Sequence, residues 1–392
     1  MARPFGAVEA DKGLYDLYAP CDRVVVRANP ELDESPSLVN TDCYASGWLL
    51  EIDPPLPPRR HGVLRAGPPL SHADGSTAGG LAVILRSPLL VTDTWLTDAP
   101  DRTVVHGALT LTLYLDDPRR WALELIPRLF DTFVHRINPS WLQWYRTSQE
   151  SKWRLIEDLA EIREAIVAGQ LTGRVRHLLE VRVADSPHAP RVGFLYREVD
   201  ARHTSAVAYA QLVLPLDMDP NELLALAIEV GQEFPIVSGI GGYGFTWNPE
   251  LPRNAFRAIH NYCKRYRGMD VQTPEPTAWL ARTGLPGTNW LTLLGPGLLA
   301  GETLDVPEAA EWAGDVAILA LAHATLVRAG ERPVTGDVNM MEHPATLSGV
   351  ARWLAPFVLR NPPPFPGTFS ENEDELDATA DWMHRFETPE LW

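Results

Sequence analysis

One lysine stands where a swinging arm could be tethered. Lys12 follows Phe5-Gly-Ala-Val-Glu-Ala-Asp11 and precedes Asp16-Leu-Tyr-Ala-Pro20, which places it in a short turn between two β-forming runs. A carrier protein needs that geometry, because the amine must reach a ligating enzyme and then other active sites while the neighbouring strands hold its base. A turn lysine is also a common kind of solvated charge, so position alone does not assign the chemistry. Other candidates carry less. Ser238-Gly-Ile-Gly-Gly-Tyr-Gly244 has the glycine content of a phosphate cradle, but Phe245-Thr-Trp247 continues as an extended segment where a phosphate site needs a helix start. A tight turn is the expectation there. The histidines from His106 to His384 include no HxH or HxxxH pair, so no first-row metal site is signalled. No GxSxG, HExxH or GKS/T sequence is present, and Asp337 in Gly336-Asp-Val-Asn339 has no evident nucleophile beside it. Its expected role is a turn.

The 13 tryptophans are candidates of another kind. Trp141, Trp144 and Tyr145 fall at helical spacing, and packing is the expected role for most such rings. Trp and Tyr are also favoured at binding interfaces, where a rigid amphipathic ring supplies contact area at low entropic cost.

The elements that must hold these residues change in texture along the chain. Short β-rich runs, Arg23 to Arg27 and Trp48 to Ile52, sit between turn formers up to about residue 53. From Asp53 to about Gly80, prolines 54, 55, 57, 58, 68 and 69 give way to glycines 75, 79 and 80, the composition of an extended linker. Beyond it, Leu109, Leu111, Leu113 and Leu115 alternate with Thr110, Thr112 and Tyr114, which predicts a half-buried strand of an antiparallel sheet. Val207 to Leu214, closed by Pro215, predicts another. Leu155, Leu159, Ile162 and Ile166 share a helical face. Asp219-Pro220 with Glu222 opens a second helix, and a third runs from Pro344 to Asn361-Pro-Pro-Pro364. The chain then turns acidic. Residues 366–392 are expected as a solvated tail in which Trp382, Met383 and Phe386 can dock a short helix. The fold class expected is α+β, a mixed antiparallel sheet with packed helices.

Composition narrows the partners. Lys and Arg number 34 against 51 Asp and Glu, and a formal charge of −17 opposes contact with nucleic acid or anionic lipid while attracting a basic protein. Hydrophobic residues make up 45% of the chain, enough for one large or two modest cores. Cys21, Cys43 and Cys263 form no CxxC pair, which suits a reducing compartment. No run approaches the roughly 18 apolar residues of a membrane span. A cytoplasmic location is the expectation.

Two resemblances emerge from these residues. Gly6-Ala-Val-Glu9, Lys12, Asp16-Leu-Tyr-Ala-Pro20, Asp33-Glu-Ser-Pro36, Leu38-Val-Asn40, Tyr44 and Gly47-Trp-Leu49 resemble the glycine cleavage system H protein over about residues 4–53. That resemblance implies a partial all-β barrel-sandwich of lipoyl type over residues 1–53, starting in mid-domain, with lipoate on Lys12 and glycine cleavage enzymes or a lipoate ligase as partners. Cys21-Asp-Arg23 and Cys43 depart from the family's pattern. Either the carrier continues upstream, or Lys12 has lost its arm in a fusion. A half sandwich leaves edges and apolar faces to be covered, for which a homodimer is one solution.

In the larger part, Arg265-Tyr-Arg-Gly-Met-Asp270, Thr288-Asn-Trp-Leu-Thr-Leu-Leu-Gly295, Ala329-Gly-Glu-Arg-Pro333, Gly336-Asp-Val-Asn339 and Val350-Ala-Arg352 resemble the bacterial type VI immunity protein family. The resemblance spans about residues 81–365, after a linker at 54–80. It implies a binding protein without catalytic residues of its own, which neutralises a type VI secretion effector, such as a nuclease, by blocking its active site. A basic effector suits the acidic chain.

Overall fold

The two β-forming runs around Lys12 pair with each other. β1 (Gly6–Ala10) lies antiparallel to β2 (Gly13–Leu17), with Ala10 opposite Gly13. A second hairpin joins β3 (Val25–Ala28) to β4 (Leu50–Ile52). The computed structural model describes residues 6–10, 13–17, 25–31, 50–52, 94–99, 102–116, 125–148, 152–173, 178–198, 205–299, 304, 314–338, 341–365 and 375–388. Lys12, Asn339 and the 54–80 linker lie outside them. The chain divides into two compact units, Met1–Val83 and Ile84–Trp392.

The second unit is built on one twelve-stranded sheet. Its strands are β5 (Thr94–Ala99), β6 (Arg102–Leu115), β7 (Trp144–Thr147), β8 (Arg154–Leu155), β9 (Glu180–Ala184), β10 (Gly193–Arg197), β11 (Ala208–Pro215), β12 (Ile236–Trp247), β13 (Asp270–Val271), β14 (Leu291–Leu294), β15 (Val316–Ala320) and β16 (Thr325–Ala329). The order is β15-β16-β14-β12-β6-β11-β10-β9-β7-β8, with β13 beside β12 and β5 beside β6. All these pairings are antiparallel except β12 with β13. Around the sheet are helices α1 (Leu125–Val134), α2 (Leu159–Gly173), α3 (Pro220–Glu233), α4 (Pro252–Arg265), the short α5 (Pro274–Thr277), α6 (Ala345–Leu354) and α7 (Glu375–Met383). The α+β class is therefore observed.

One face of the sheet buries Leu109, Leu111, Leu113 and Leu115 against α1, α2 and α3, through Phe130, Phe133, Ile162, Ile166, Leu226 and Val230. Phe194 of β10 meets the Phe130 ring edge-on at 5.2 Å between centroids. The opposite face is covered in patches. Phe256, Ile259 and Cys263 of α4 pack with Trp382 of α7 over the β12–β13 region, and Leu347, Val350 and Leu354 of α6 pack on β14 and β16.

Several local expectations change in this setting. β6 is buried on both faces, since Thr110, Thr112 and Tyr114 are as covered as the leucines, because β6 is central rather than half exposed. The glycine-rich run 238–244 is neither cradle nor turn but the middle of β12. Its glycines make room for neighbours: a Cβ at Gly239 would stand 3.1 Å from Leu113 Cδ2, and one at Gly241 3.0 Å from Leu111 Cδ1. Leu155 drops out of its expected helix into β8, because Asp158 starts α2 by accepting the Ala160 amide at 2.9 Å. Trp141 ends a short 3-10 helix while Trp144 and Tyr145 enter β7, so the three share no helical face. Asp219 caps α3 as the sequence predicts, accepting the Asn221 amide with Pro220 at the first helical position. Within the segment expected as an acidic tail, α7 docks through Ala378 and Trp382, and Phe386 just beyond it is buried as well. No helix of the described residues is long and apolar enough to cross a membrane.

Candidate functional site: an aromatic cleft over an arginine cluster

Strand register assembles the site. Arg146 stands opposite Arg182, Arg182 opposite Leu195, Leu195 opposite Gln211, and Gln211 opposite Thr112, which puts this row on one face of the sheet. The next row on that face is Glu180, Arg197, Tyr209 and Tyr114. The helices α1 to α3 occupy the other face, so this region is left open as a cleft of about 780 Å³. Arg182, Leu195, Tyr209, Gln211 and Val213 form its floor; Trp153, Trp247, Trp279, the loop from Ser186 to Pro190, and the α5 segment wall it. Six prolines, at positions 187, 190, 249, 274, 276 and 364, also line it. Fixed φ angles make those rims stiff. Thr246 ties two walls together by donating its hydroxyl to the Pro190 carbonyl at 2.7 Å.

The floor carries concentrated charge. Glu180 receives Arg182 Nε at 2.7 Å, Arg146 Nη2 at 3.1 Å and Arg197 Nε at 3.5 Å. Burial alone would raise the Glu180 carboxyl, but the Arg182, Arg197 and Arg146 guanidiniums outweigh it and hold the group below the usual range. Arg197 also reaches Glu275 at 2.7 Å. Burial pushes Tyr209 up to about 12 against the pull of Arg197, so its phenol stays protonated and remains a donor. Arg146 further lies over the Trp153 ring, 5.7 Å from its centroid. Among the described residues no group of three or more His, Cys, Asp and Glu is arranged to hold a metal ion.

The motif residues gather elsewhere. Arg265, at the end of α4, makes a two-pronged bond to Asp337, Nε to Oδ1 at 3.0 Å and Nη2 to Oδ2 at 2.9 Å. Asp337 also shares a backbone bridge with Tyr266 and accepts the Glu342 amide, so it is a turn residue and an ion-pair partner together. Gly268 and Gly336 let the two loops touch: the Gly268 amide donates to the Thr335 carbonyl at 2.8 Å, and a Cβ on Gly268 would fall 2.1 Å from the Val334 carbonyl oxygen. Gly336 itself has φ +61°. Asp270 follows, buried and paired with Arg385 at 3.3 Å; Arg385 also donates to the carbonyls of Arg267, Met269 and Trp382. Trp290 closes the neighbouring motif by donating its indole N–H to the Gly330 carbonyl at 3.1 Å. These contacts are structural.

The sequence-predicted attachment residue Lys12 lies outside the described residues, between the paired ends of β1 and β2. Sequence reasoning missed Arg182 and the tryptophans at 153, 247 and 279. They come from four separate parts of the chain, two in strands and two beside element ends, and no spacing rule links residues that only the fold brings together.

Comparison with known proteins follows the same division. Residues 1–66 match the glycine cleavage H-protein family. The glycine cleavage system H protein of Myxococcus xanthus is 41% identical over 64 residues, 16% of this chain and 50% of that protein. That of Magnetococcus marinus is 41% identical over 66 residues, 17% of this chain and 47% of that protein. The chain thus spans about half the length of these curated relatives. A type VI secretion system protein of Pseudomonas aeruginosa shares the fold, with a TM-score of 0.63 at 18% identity, over 77% of this chain and 88% of that one. Residues 125–386, which include the sheet from β7 onward and helices α1 to α7, match the TsiV family model, described as type VI immunity for VRR-NUC. The chain belongs to the TsiV type VI immunity family.

Proposed function

We propose that this chain protects the cell that makes it by binding a type VI secretion effector with a VRR-NUC nuclease domain and covering that domain's active site. The observation that carries the reading is the TsiV match over residues 125–386, most of the chain. Charge supports it, because a cleft built for phosphates is basic and a partner of formal charge −17 is steered toward it. Binding then needs no catalytic group from this chain, and the cytoplasm, where an incoming nuclease reaches DNA, is where it acts. The working division is a lipoyl-like segment to residue 53, a linker over 54–80 and an immunity module from 81 to 365, to which α7 adds its buried face. The test is co-expression with a VRR-NUC effector of the same genome. Restored growth together with a complex that co-elutes in gel filtration is expected; growth arrest with no complex would overturn the reading.

A second reading is favoured by the match of residues 1–66 to the H-protein family and by the register of β1 and β2, which leaves only Asp11 and Lys12 between Ala10 and Gly13. Lys12 would hold lipoate there, as in a lipoyl-type barrel-sandwich. The dithiolane supplies a carrier for aminomethyl groups, and the hairpin supplies the base of the arm. Intact mass of the protein from lipoate-fed cells decides this: a lipoyl increment mapped to Lys12 supports the carrier, and an unmodified lysine ends it.

A further inference from the structure

We propose that the cleft over β9, β10 and β11 is the surface that grips the effector, and that its occupant is a protruding segment carrying a carboxylate beside an apolar or aromatic side chain. The carboxylate pairs with Arg182, and the apolar group packs on the walls formed by Trp153, Trp247 and Trp279. The proposal rests on the immunity reading and adds to it the place of contact and the chemistry of what is held.

Charge complementarity selects the occupant. The chain as a whole is strongly acidic, yet the floor of its cleft is not. Three guanidiniums, Arg146, Arg182 and Arg197, face two carboxylates, Glu180 and Glu275. Glu180 is shared among all three arginines and Glu275 is engaged by Arg197, so the cluster keeps one positive charge in excess. Of these, Arg182 and Glu275 line the cleft. Arg182 meets Glu180 through Nε, which leaves its two Nη groups as a donor fork without a protein partner among the described residues. A fork held from behind in this way suits a carboxylate. An acidic residue of the effector therefore finds at the centre of the cleft the opposite of the repulsion it meets on the rest of the surface.

The walls supply the remaining interaction. Trp279 is 42% exposed, and it stands on the α5 rim rather than in the core. Interface energy concentrates on tryptophans and arginines set in pockets that exclude water, and this cleft holds both. Its proline rims spend little entropy on binding because their backbone is already fixed. A concave site of this size receives a projection of the partner, and the body of the immunity protein around it supplies the cover over the nuclease site.

The experiment uses the full chain and a phage-displayed library of random 12-residue peptides, with binding of the selected peptides followed by tryptophan fluorescence. Selected peptides are expected to share an Asp or Glu next to an aromatic or large aliphatic residue. Arg182→Glu should weaken them at least tenfold, and exchanging the peptide's acid for Lys should restore binding to that variant. Arg182→Gln and Trp279→Ala, checked for unchanged melting, keep the test valid if Arg182→Glu disturbs the fold. Peptides without an acidic residue, or variants that bind like the parent, would overturn the proposal. So would a dimer of this chain that falls apart on Trp279→Ala, since the cleft would then belong to a second copy. The same variants co-expressed with the VRR-NUC effector separate the two readings. Protection by the parent and equally by Arg182→Gln and Trp279→Ala overturns the docking surface alone, whereas no protection by the parent overturns immunity itself.

Discussion

The corner where the motifs meet and the cleft on the sheet face are built on different terms. In the corner, Arg265, Gly268, Asp270, Gly336, Asp337 and Arg385 are joined by bonds that leave little unsatisfied, and glycines stand where a single methyl group would collide with backbone. In the cleft, polar groups sit on a floor open to solvent and the largest side chains form walls. Tight packing restricts which residue fits, so the corner leaves recognisable strings in the sequence. A binding surface has to fit a partner, and its residues answer to something outside the chain. The motifs that carry the family resemblance thus mark the frame, while the proposed point of contact lies on the sheet face.

The sharpest way to break that comparison is to cut the corner. Arg385→Met removes the guanidinium bonded to Asp270 and strands a buried carboxylate, which costs about 3–5 kcal/mol. Urea unfolding should show a fall of that order, and Asp270→Asn in the same chain should recover part of it. A loss under 1 kcal/mol would mean that the corner is not the frame. Gly268→Ala comes next, because its Cβ has no space beside the Val334 carbonyl and the two loops must part, at a cost of roughly 2–3 kcal/mol by the same assay.

How much of this was legible beforehand depends on what each residue answers to. The α+β class, the strands at Leu109 to Leu115 and Val207 to Leu214, and the cap at Asp219 follow from local pattern and are observed. The glycine run of β12 misleads because glycine there serves the leucines of the neighbouring strand, a reason that is absent from its own segment. Asp337 is read only in part for the same cause: its turn is observed, but its ion-pair partner Arg265 lies 72 positions away. For the cleft, Trp153, Trp247 and Trp279 are indistinguishable in the sequence from the core tryptophans Trp290 and Trp382.

His106 probes whether the cleft side is also structural. It lies in β6 opposite Thr246, a residue of the cleft wall, and burial, helped by the Arg191 charge, lowers its pKa from 6.5 to about 4. The folded chain therefore holds the imidazole neutral, while the unfolded chain protonates it below about 6.5. Stability that is present above that pH should be lost as pH falls toward 4, by roughly 3 kcal/mol in total. His106→Asn should remove that part of the pH dependence and leave the rest, as read from urea midpoints between pH 7 and 4.

The smallest expected change on stability belongs to the residue with the largest expected role in binding. Trp279 is 42% exposed on the rim, and truncating it leaves no closed cavity to refill. Surface substitutions away from caps and ion pairs stay within about 0.5 kcal/mol, so Trp279→Ala should unfold at nearly the same urea concentration as its parent. The same substitution removes an aromatic anchor, for which the expected loss of partner affinity is about 2 kcal/mol or more. The corner behaves oppositely, since Gly268→Ala should weaken binding only through the fraction of chain that unfolds. If Trp279→Ala instead melts early and binds normally once folded, the ring is part of the frame, and the cleft and the corner are one structural system.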